Sequence, residues 1–259
     1  MTTTYLDRIV EAHRAAAALD ERPLDQMAAT ASAMPAARGF RAALASTDGL
    51  AVIAEVKRRS PSKGDLNLGL DPAVLAGKYQ AGGASCLSVL TDEAFFGGSP
   101  ADLAGARNAT SLPVIRKDFT VCERDVYDAM IMGADCILLI VAALNDDELA
   151  RFHTLAVAIG LDVLVETHDE PELERALAVG ATLIGVNQRD LVTFEVDHDR
   201  AARMGALMPQ GVVSVAESGV RDAADARRLE AAGYTAILVG ETLVKSGDPA
   251  GAVRSLRGR

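Results

Sequence analysis

Residues 132–140 read MGADCILLI: a glycine, three small or polar residues, then an unbroken apolar run. The arrangement returns at 81–90 (AGGASCLSVL), 179–187 (VGATLIGVN) and 232–240 (AGYTAILVG). A glycine in that place suits a helix C-cap, and the run behind it suits a strand buried on both faces. The glycines fall about 50 residues apart, roughly twice one strand–helix unit of a barrel of ~250 residues. Each interval should then hold one more strand. AVIAEVK (51–57), PVIRKD (113–118), DVLVE (162–166) and GVVSVAE (211–217) fill those places.

Between the strands lie stretches of helical periodicity, including DPAVLAGKYQ, ERDVYDAMIM, NDDELARFHTLAVAI, DEPELERALAV and RDAADARRLEAA. Several open on Asp, Ser or Asn at an N-cap, with Pro or acidic residues in the first turn. Strand alternating with helix eight times predicts an α/β fold, the (β/α)8 TIM barrel. Two helix-like stretches, near 5–19 and 24–31, precede the first strand. Residues 1–50 are expected to form an N-terminal helical extension packed on the barrel, with 1–259 a single domain. A doubly wound open sheet is the alternative, weakened by the lack of GxGxxG after the first strand.

Composition narrows the partners. Hydrophobic residues make up 49% of the chain, there is no Trp, and the net charge is −10. Such a charge argues against nucleic acid or an anionic membrane as partner. It leaves an anionic small molecule as the simplest ligand for local basic clusters such as Lys57-Arg58-Arg59. No signal-peptide pattern opens the sequence. The odd set Cys86, Cys122 and Cys136, two of them within apolar strands, suits reduced thiols in a cytoplasmic protein, with a catalytic cysteine the lesser reading. The four histidines are scattered without metal-ligand spacing, so neither metal nor cofactor is expected.

In a parallel barrel the side chains at the C-terminal strand ends point into the site. Those ends carry Glu55 and Lys57, Lys117, Glu166, Asn187 and Arg189, and Glu217 with Ser218. Taken singly, each could be a polar residue at a solvent boundary, and EVKRRSPSKG (55–64) could be a charged surface loop with one salt bridge. Taken together, three carboxylates and two lysines facing one pocket would perturb one another's pKa values, as acid/base sites require. The fourth strand ends in hydrophobics around Leu138, which suit an apolar wall. Loops after strands seven and eight commonly bind phosphate, and here they hold Gly219, Leu238, Gly240 and Glu241. Glu241 would repel a phosphate unless its side chain turned outward.

The segments IAEVKRRSPSKG, LTDEAFFGGS, VIRKDF, LVETHDEPELERAL, IGVNQRDL, VAESGV and ILVGETLV resemble the indole-3-glycerol phosphate synthase family in kind, order and spacing. The resemblance runs from about residue 5 to the C-terminus, and it includes the N-terminal helices typical of barrels in this family. It implies conversion of 1-(2-carboxyphenylamino)-1-deoxyribulose 5-phosphate to indole-3-glycerol phosphate, carbon dioxide and water, in tryptophan biosynthesis. Lys117 would be the general acid at the ketone and Glu166 the later general base. Lys57 would contact substrate and help expel the hydroxyl, with Glu55 positioning it. Asn187, Arg189, Glu217 and Ser218 would orient the substrate. Gly219, Leu238, Gly240 and Glu241 would line the phosphate site, Glu241 through its backbone.

The same resemblance assigns Phe96, Phe119, Leu138, Leu191 and Pro61 to the aryl pocket. Arg59, Ser60 and Pro61 would begin the covering loop, with Arg59 an anion contact. The expected partner is a phosphorylated anionic small molecule, with no nucleic acid or membrane, and the chain is expected to be a monomer or weak homo-oligomer. Phosphoribosylanthranilate isomerase is the nearest rival, but it would place a cysteine where this chain has Glu55-Val56-Lys57. A Schiff-base aldolase using Lys117 and a non-catalytic paralogue are the remaining alternatives.

Overall fold

The computed structural model describes residues 4–60, 63–190 and 195–258. Among them, a closed barrel is built from β1 (Ala51–Val56), β2 (Cys86–Leu90), β3 (Val114–Lys117), β4 (Cys136–Ile140), β5 (Asp162–Thr167), β6 (Leu183–Asn187), β7 (Val213–Glu217) and β8 (Ala236–Val239). All neighbours are parallel, and β1 closes the ring by pairing with both β8 and β2. Three helices precede the barrel: α1 (Tyr5–Leu19), α2 (Leu24–Ser32) and α3 (Phe40–Ala45). The outer ring comprises α4 (Pro72–Ala81), α5 (Pro100–Ala109), α6 (Glu123–Ile131), α7 (Asp146–Ala158), α8 (Glu170–Ala178), α9 (His198–Gly205), α10 (Ala223–Ala231), the four-residue α11 (Glu241–Val244) and α12 (Pro249–Leu256). The expected (β/α)8 barrel is present, strand for strand.

Local chemistry sets these boundaries. Asp71 accepts from the N–H groups of Ala73 and Val74 ahead of Pro72, and Asn145 and Glu148 form a reciprocal capping box on α7. At the other ends, the recurring glycines Gly83, Gly133, Gly180 and Gly233 have φ of 86°, 84°, 79° and 91°. A side chain with a Cβ would strain that left-handed turn, which is why a glycine precedes each of these strands.

Alternation along the strands divides the core in two. Val52, Ala54, Leu87, Val89 and Leu139 face the helices, while Ile53, Ile115, Leu138, Leu164, Val215 and Leu238 fill the barrel. The inner cluster also takes in Phe40 and Leu44, both fully buried, so α3 plugs the N-terminal end of the barrel. This short helix was not expected from the sequence. Gly39 gives it no side-chain cap, and six residues are too few to show a period. Truncating Phe40 to Ala would open a core cavity costing about 3–5 kcal/mol. Asp135, fully buried, ties the segment before α3 to the sheet by accepting from the backbone N–H groups of Arg38 (2.7 Å) and Val114 (2.8 Å).

The first helix is held by ion pairs. Arg14 forms a two-pronged pair with Glu148 on α7 at 2.7 and 2.9 Å, and His13 Nε2 lies 2.9 Å from Asp92 Oδ2 in the loop after β2. Among the described residues, no helix is long and apolar enough to cross a membrane.

Candidate active site

The inward face of each strand generates the site by counting in twos. On β1, Ala51 and Ile53 point into the barrel and Glu55 comes next, with Lys57 just beyond the strand end. Ile115 is followed by Lys117 on β3, Leu164 by Glu166 on β5, Leu183 by Asn187 on β6, and Val215 by Glu217 on β7. Apolar packing deeper in the barrel thus fixes which polar side chains reach its upper end. All of these residues line one cavity of about 700 Å³.

At its centre Lys117 Nζ lies 3.5 Å from Glu166 Oε2 and 3.8 Å from Glu217 Oε2. Glu55 forms an ion pair with Lys57 and accepts from Ser88 Oγ at 3.2 Å. Asn187 Nδ2 donates to Glu166 Oε1 at 3.2 Å. Burial opposes the charge on Lys117, but Glu166, Glu217 and Glu55 outweigh it and raise its pKa, so it stays an ammonium. Burial likewise opposes charge on Glu55 and Glu166. Lys57 and Lys117 overcome it at Glu55, and Lys117 and His168 overcome it at Glu166, leaving both below the ordinary carboxylate value. Glu217 goes the other way: burial and then the neighbouring Glu166 push it well above the usual range. Burial disfavours a second negative charge beside Glu166, so of this adjacent pair Glu217 is the one that favours the proton.

Glycines make room for these groups. A Cβ at Gly240 would strike the Glu55 carboxylate and come within 3.1 Å of Lys57 Nζ, and one at Gly185 would strike the Glu217 carboxyl. At the cavity's β7–β8 side, Ser218 and Gly219 adopt successive left-handed conformations (φ 67° and 76°), and Gly240 leads into α11. Successive backbone N–H groups in such turns make anion-binding concavities. Glu241 pairs with Lys245 Nζ at 2.8 Å, one turn along α11. The opposite wall is apolar, with Phe96, Phe119, Leu138 and Ile140; the two phenyl rings lie 6.1 Å apart.

Of the other expected site residues, Ser60, Arg189, Ser218, Gly219, Leu238, Gly240 and Glu241 line the same cavity. Arg189 lies past the end of β6 rather than on it, in an isolated bridge with Val196. Arg59 is not among the lining residues. It sits in a two-residue hairpin strand paired with Gly64–Asp65, its Nε 3.4 Å from Asp65 Oδ1. Pro61 and Leu191 lie outside the described residues. Sequence reading overlooked Tyr5, Leu6 and Ile9 of α1 and the cations Lys63, Arg221 and Lys245, all at the cavity wall. It also gave no role to His168, whose spacing two residues past Glu166 was the available signal. His13, Asp92 and Asp118 each bring one ligand-type atom within 4.8 Å of the others, a proximity that scattered sequence positions could not show. Their carboxylate oxygens already accept from Phe95, Phe96, Phe119, Thr91 and Arg116.

A closed parallel barrel with ion-paired lysines and glutamates at its C-terminal strand ends defines a barrel enzyme of acid–base chemistry. The family model described as indole-3-glycerol phosphate synthase matches residues 6–256. The chain belongs to the indole-3-glycerol phosphate synthase family. Its relatives include "Indole-3-glycerol phosphate synthase" of Nocardioides sp., 54% identical over 85% of this chain and 82% of that protein. "Indole-3-glycerol phosphate synthase 2" of Streptomyces coelicolor is also 54% identical, over 88% of each chain. Among solved structures, thiamine phosphate pyrophosphorylase from Pyrococcus furiosus superposes with a TM-score of 0.61 at 16% identity, covering 81% of this chain and 94% of that one. That likeness is one of fold alone. Family membership makes the chain a carboxy-lyase of tryptophan biosynthesis acting on a phosphorylated small molecule.

Proposed function

We propose that this site closes the indole ring of 1-(2-carboxyphenylamino)-1-deoxyribulose 5-phosphate, with Lys117 as the acid at the ketone. The observation that carries this reading is the Lys117 ammonium, held between Glu166 and Glu217 in a cavity lined also by Phe96, Phe119 and Leu138 and by the left-handed turn at Ser218 and Gly219. The aryl ring packs on Phe96, Phe119 and Leu138. The phosphate sits at Gly219, Leu238, Gly240 and the backbone of Glu241, whose carboxylate is ion-paired with Lys245. Lys63 supplies a further cation at that end.

The steps follow from where charge develops. The aryl carbon bearing the carboxylate attacks the ketone carbon, and Lys117 gives its proton to the oxygen that would otherwise become an alkoxide. Loss of carbon dioxide returns the bonding pair to the ring and its nitrogen. The new hydroxyl then leaves as water with a proton from Lys57, and Glu166 removes the proton from the adjacent carbon to complete the indole. Glu55 holds Lys57 in place, while Asn187, Arg189, Glu217 and Ser218 orient substrate hydroxyls. Each positioned acid or base contributes roughly 10²–10⁴-fold. The raised pKa of Lys117 opposes a Schiff-base role, which needs a neutral amine.

On this reading the protein works in the cytoplasm as a monomer or weak homo-oligomer, the barrel and its N-terminal helices acting as one domain. Its free thiols Cys86, Cys122 and Cys136 suit a reducing compartment. The deciding assay offers the carboxyphenylamino ribulose phosphate to purified protein and follows indole absorbance. Folded protein that yields no indole signal rules the reading out.

A further inference from the structure

Beyond these groups, a histidine stands behind the proposed base. His168 follows β5 immediately, on the same side of the chain as Glu166 two residues earlier. Its Nδ1 lies 3.0 Å from Glu172 Oε2, and the same oxygen accepts from its backbone N–H at 2.7 Å. This anchors the imidazole to the first turn of α8. The other ring nitrogen, Nε2, is buried, has no hydrogen-bond partner, and stands 3.5 Å from Glu166 Oε1. A buried ring nitrogen aimed at the working carboxylate, with its far side clamped, has the form of a cation held in reserve for that carboxylate.

We propose that His168 is a positioning residue that decides which of the two facing glutamates is the base: it holds Glu166 ionised and so leaves the shared proton on Glu217. The inference rests on the ring-closure reading for its kinetic consequence, but not for the electrostatic one. Glu166 and Glu217 are both buried and both within 4 Å of Lys117, which hydrogen-bonds Glu166 at 3.5 Å and lies 3.8 Å from Glu217, so the lysine separates them only in part. What differs is the remaining company. Glu166 has Asn187 and His168; Glu217 has neither and leaves Oε1 without a partner. Glu55 lies on the far side and acts unfavourably on Glu217. The charged groups facing His168 are Glu166, Glu172 and, from α9, Arg200. Burial and Arg200 oppose its charge, yet the two carboxylates raise its pKa above the ordinary histidine value. The two carboxylates thus favour the imidazolium over the neutral ring.

The test compares wild type with His168→Gln and Glu172→Gln. Protein labelled with ¹³C at the glutamate δ-carbon is titrated without substrate, and kcat and KM are measured from pH 5.5 to 9. In His168→Gln the Glu166 titration is expected to move up and that of Glu217 down. The kcat should fall at least 10-fold more at pH 6 than at pH 8.5, with KM changed less than about 3-fold. Glu172→Gln, which keeps the imidazole, should move both titrations the same way by less. A loss of kcat equal at every pH, with unmoved carboxyl titrations, would overturn the proposal. Should His168→Gln misfold, unmoved titrations in Glu172→Gln would overturn it equally. Wild type without ring-closing activity but with the expected carboxyl shifts would sink the ring-closure reading and leave the role of His168 standing.

Discussion

Lys117 Nζ stands 3.5 Å from Glu166 Oε2, so the acid and the base proposed for successive steps are ion-paired before substrate arrives. The pairing keeps both in the charge state that each step needs: an ammonium to give a proton, a carboxylate to take one. It also means that neither can be removed without disturbing the other. Lys117→Ala should lower kcat by roughly 10²–10⁴-fold, the contribution of a positioned acid. The fold should persist, since Glu217 already carries a proton and Glu166 can take one up. Turnover with far-ultraviolet circular dichroism checks this; near-normal kcat in the variant would remove Lys117 from the mechanism.

Glu217 predicts a pH dependence of stability. Its folded pKa is raised, so between the unfolded value of about 4.3 and the folded one the native state binds more protons than the unfolded chain. Stability from this group is fully present below that unfolded value and is lost as pH rises through the folded one. Glu217→Gln keeps the neutral form at every pH. Its Tm should therefore gain on wild type between pH 5 and pH 8, and a constant difference between the two proteins across that range would refute the assignment.

Gly240 is a steric prediction. A methyl group there meets the Glu55 carboxylate and comes within 3.1 Å of Lys57 Nζ, so the paired ends of both side chains must turn aside within the cavity. Gly240→Ala should cost about 1–3 kcal/mol from overpacking and displace the Glu55–Lys57 pair, lowering kcat/KM at least 10-fold. Gly77→Ala is the control. Its Cβ would meet nothing within 4 Å in the middle of α4, and it should stabilise by about 0.5–1 kcal/mol without touching activity. Equal activity in the two variants would show that the space beside Glu55 is not needed.

How far the sequence could be read depended on whether local pattern or docking decided a feature. Glu55, Lys117, Glu166 and Glu217 were legible because strand parity alone puts each one step beyond a buried aliphatic residue, and Asn187 two steps beyond Leu183 with Gly185 between. Their environment was not. Which glutamate keeps its proton depends on three strands and on His168, and no linear spacing encodes that. The helix α1 was visible by its period, but the face that it would turn to the cavity was not, since Tyr5, Leu6 and Ile9 acquire their place only when Arg14 and His13 find partners more than seventy residues away. The surface-loop reading of EVKRRSPSKG fails at its first and third residues, where buried Glu55 pairs with half-buried Lys57 at the cavity, and survives at Arg59, which turns to Asp65.

That docking supplies the last prediction. His13 bridges to Asp92 at 2.9 Å and Asp118 at 3.8 Å, and its ring lies 5.3 Å from Phe119 on the aryl wall. Asp92 meanwhile accepts from the N–H groups of Phe95 and Phe96. One imidazolium thus ties α1 to both loops that present the facing phenyl rings. Burial opposes charge on His13, but Asp92, Asp118 and Asp125 raise its pKa overall, while Asp92 is lowered. The histidine's contribution is full below its unfolded value of about 6.5 and is lost as pH rises through the raised folded value. That of Asp92 is full above about 3.9 and is lost as pH falls through its lowered value. Attachment of α1 should therefore be strongest between about pH 4 and 6.5. Hydrogen exchange of the amides of residues 5–19, corrected for intrinsic rates, should show protection falling from pH 6.5 to 9. In His13→Gln that decline should flatten and KM should rise, because the wall formed by Tyr5, Leu6 and Ile9 loosens. Protection of α1 that stays constant over this range in the wild type would dissociate the helix from His13.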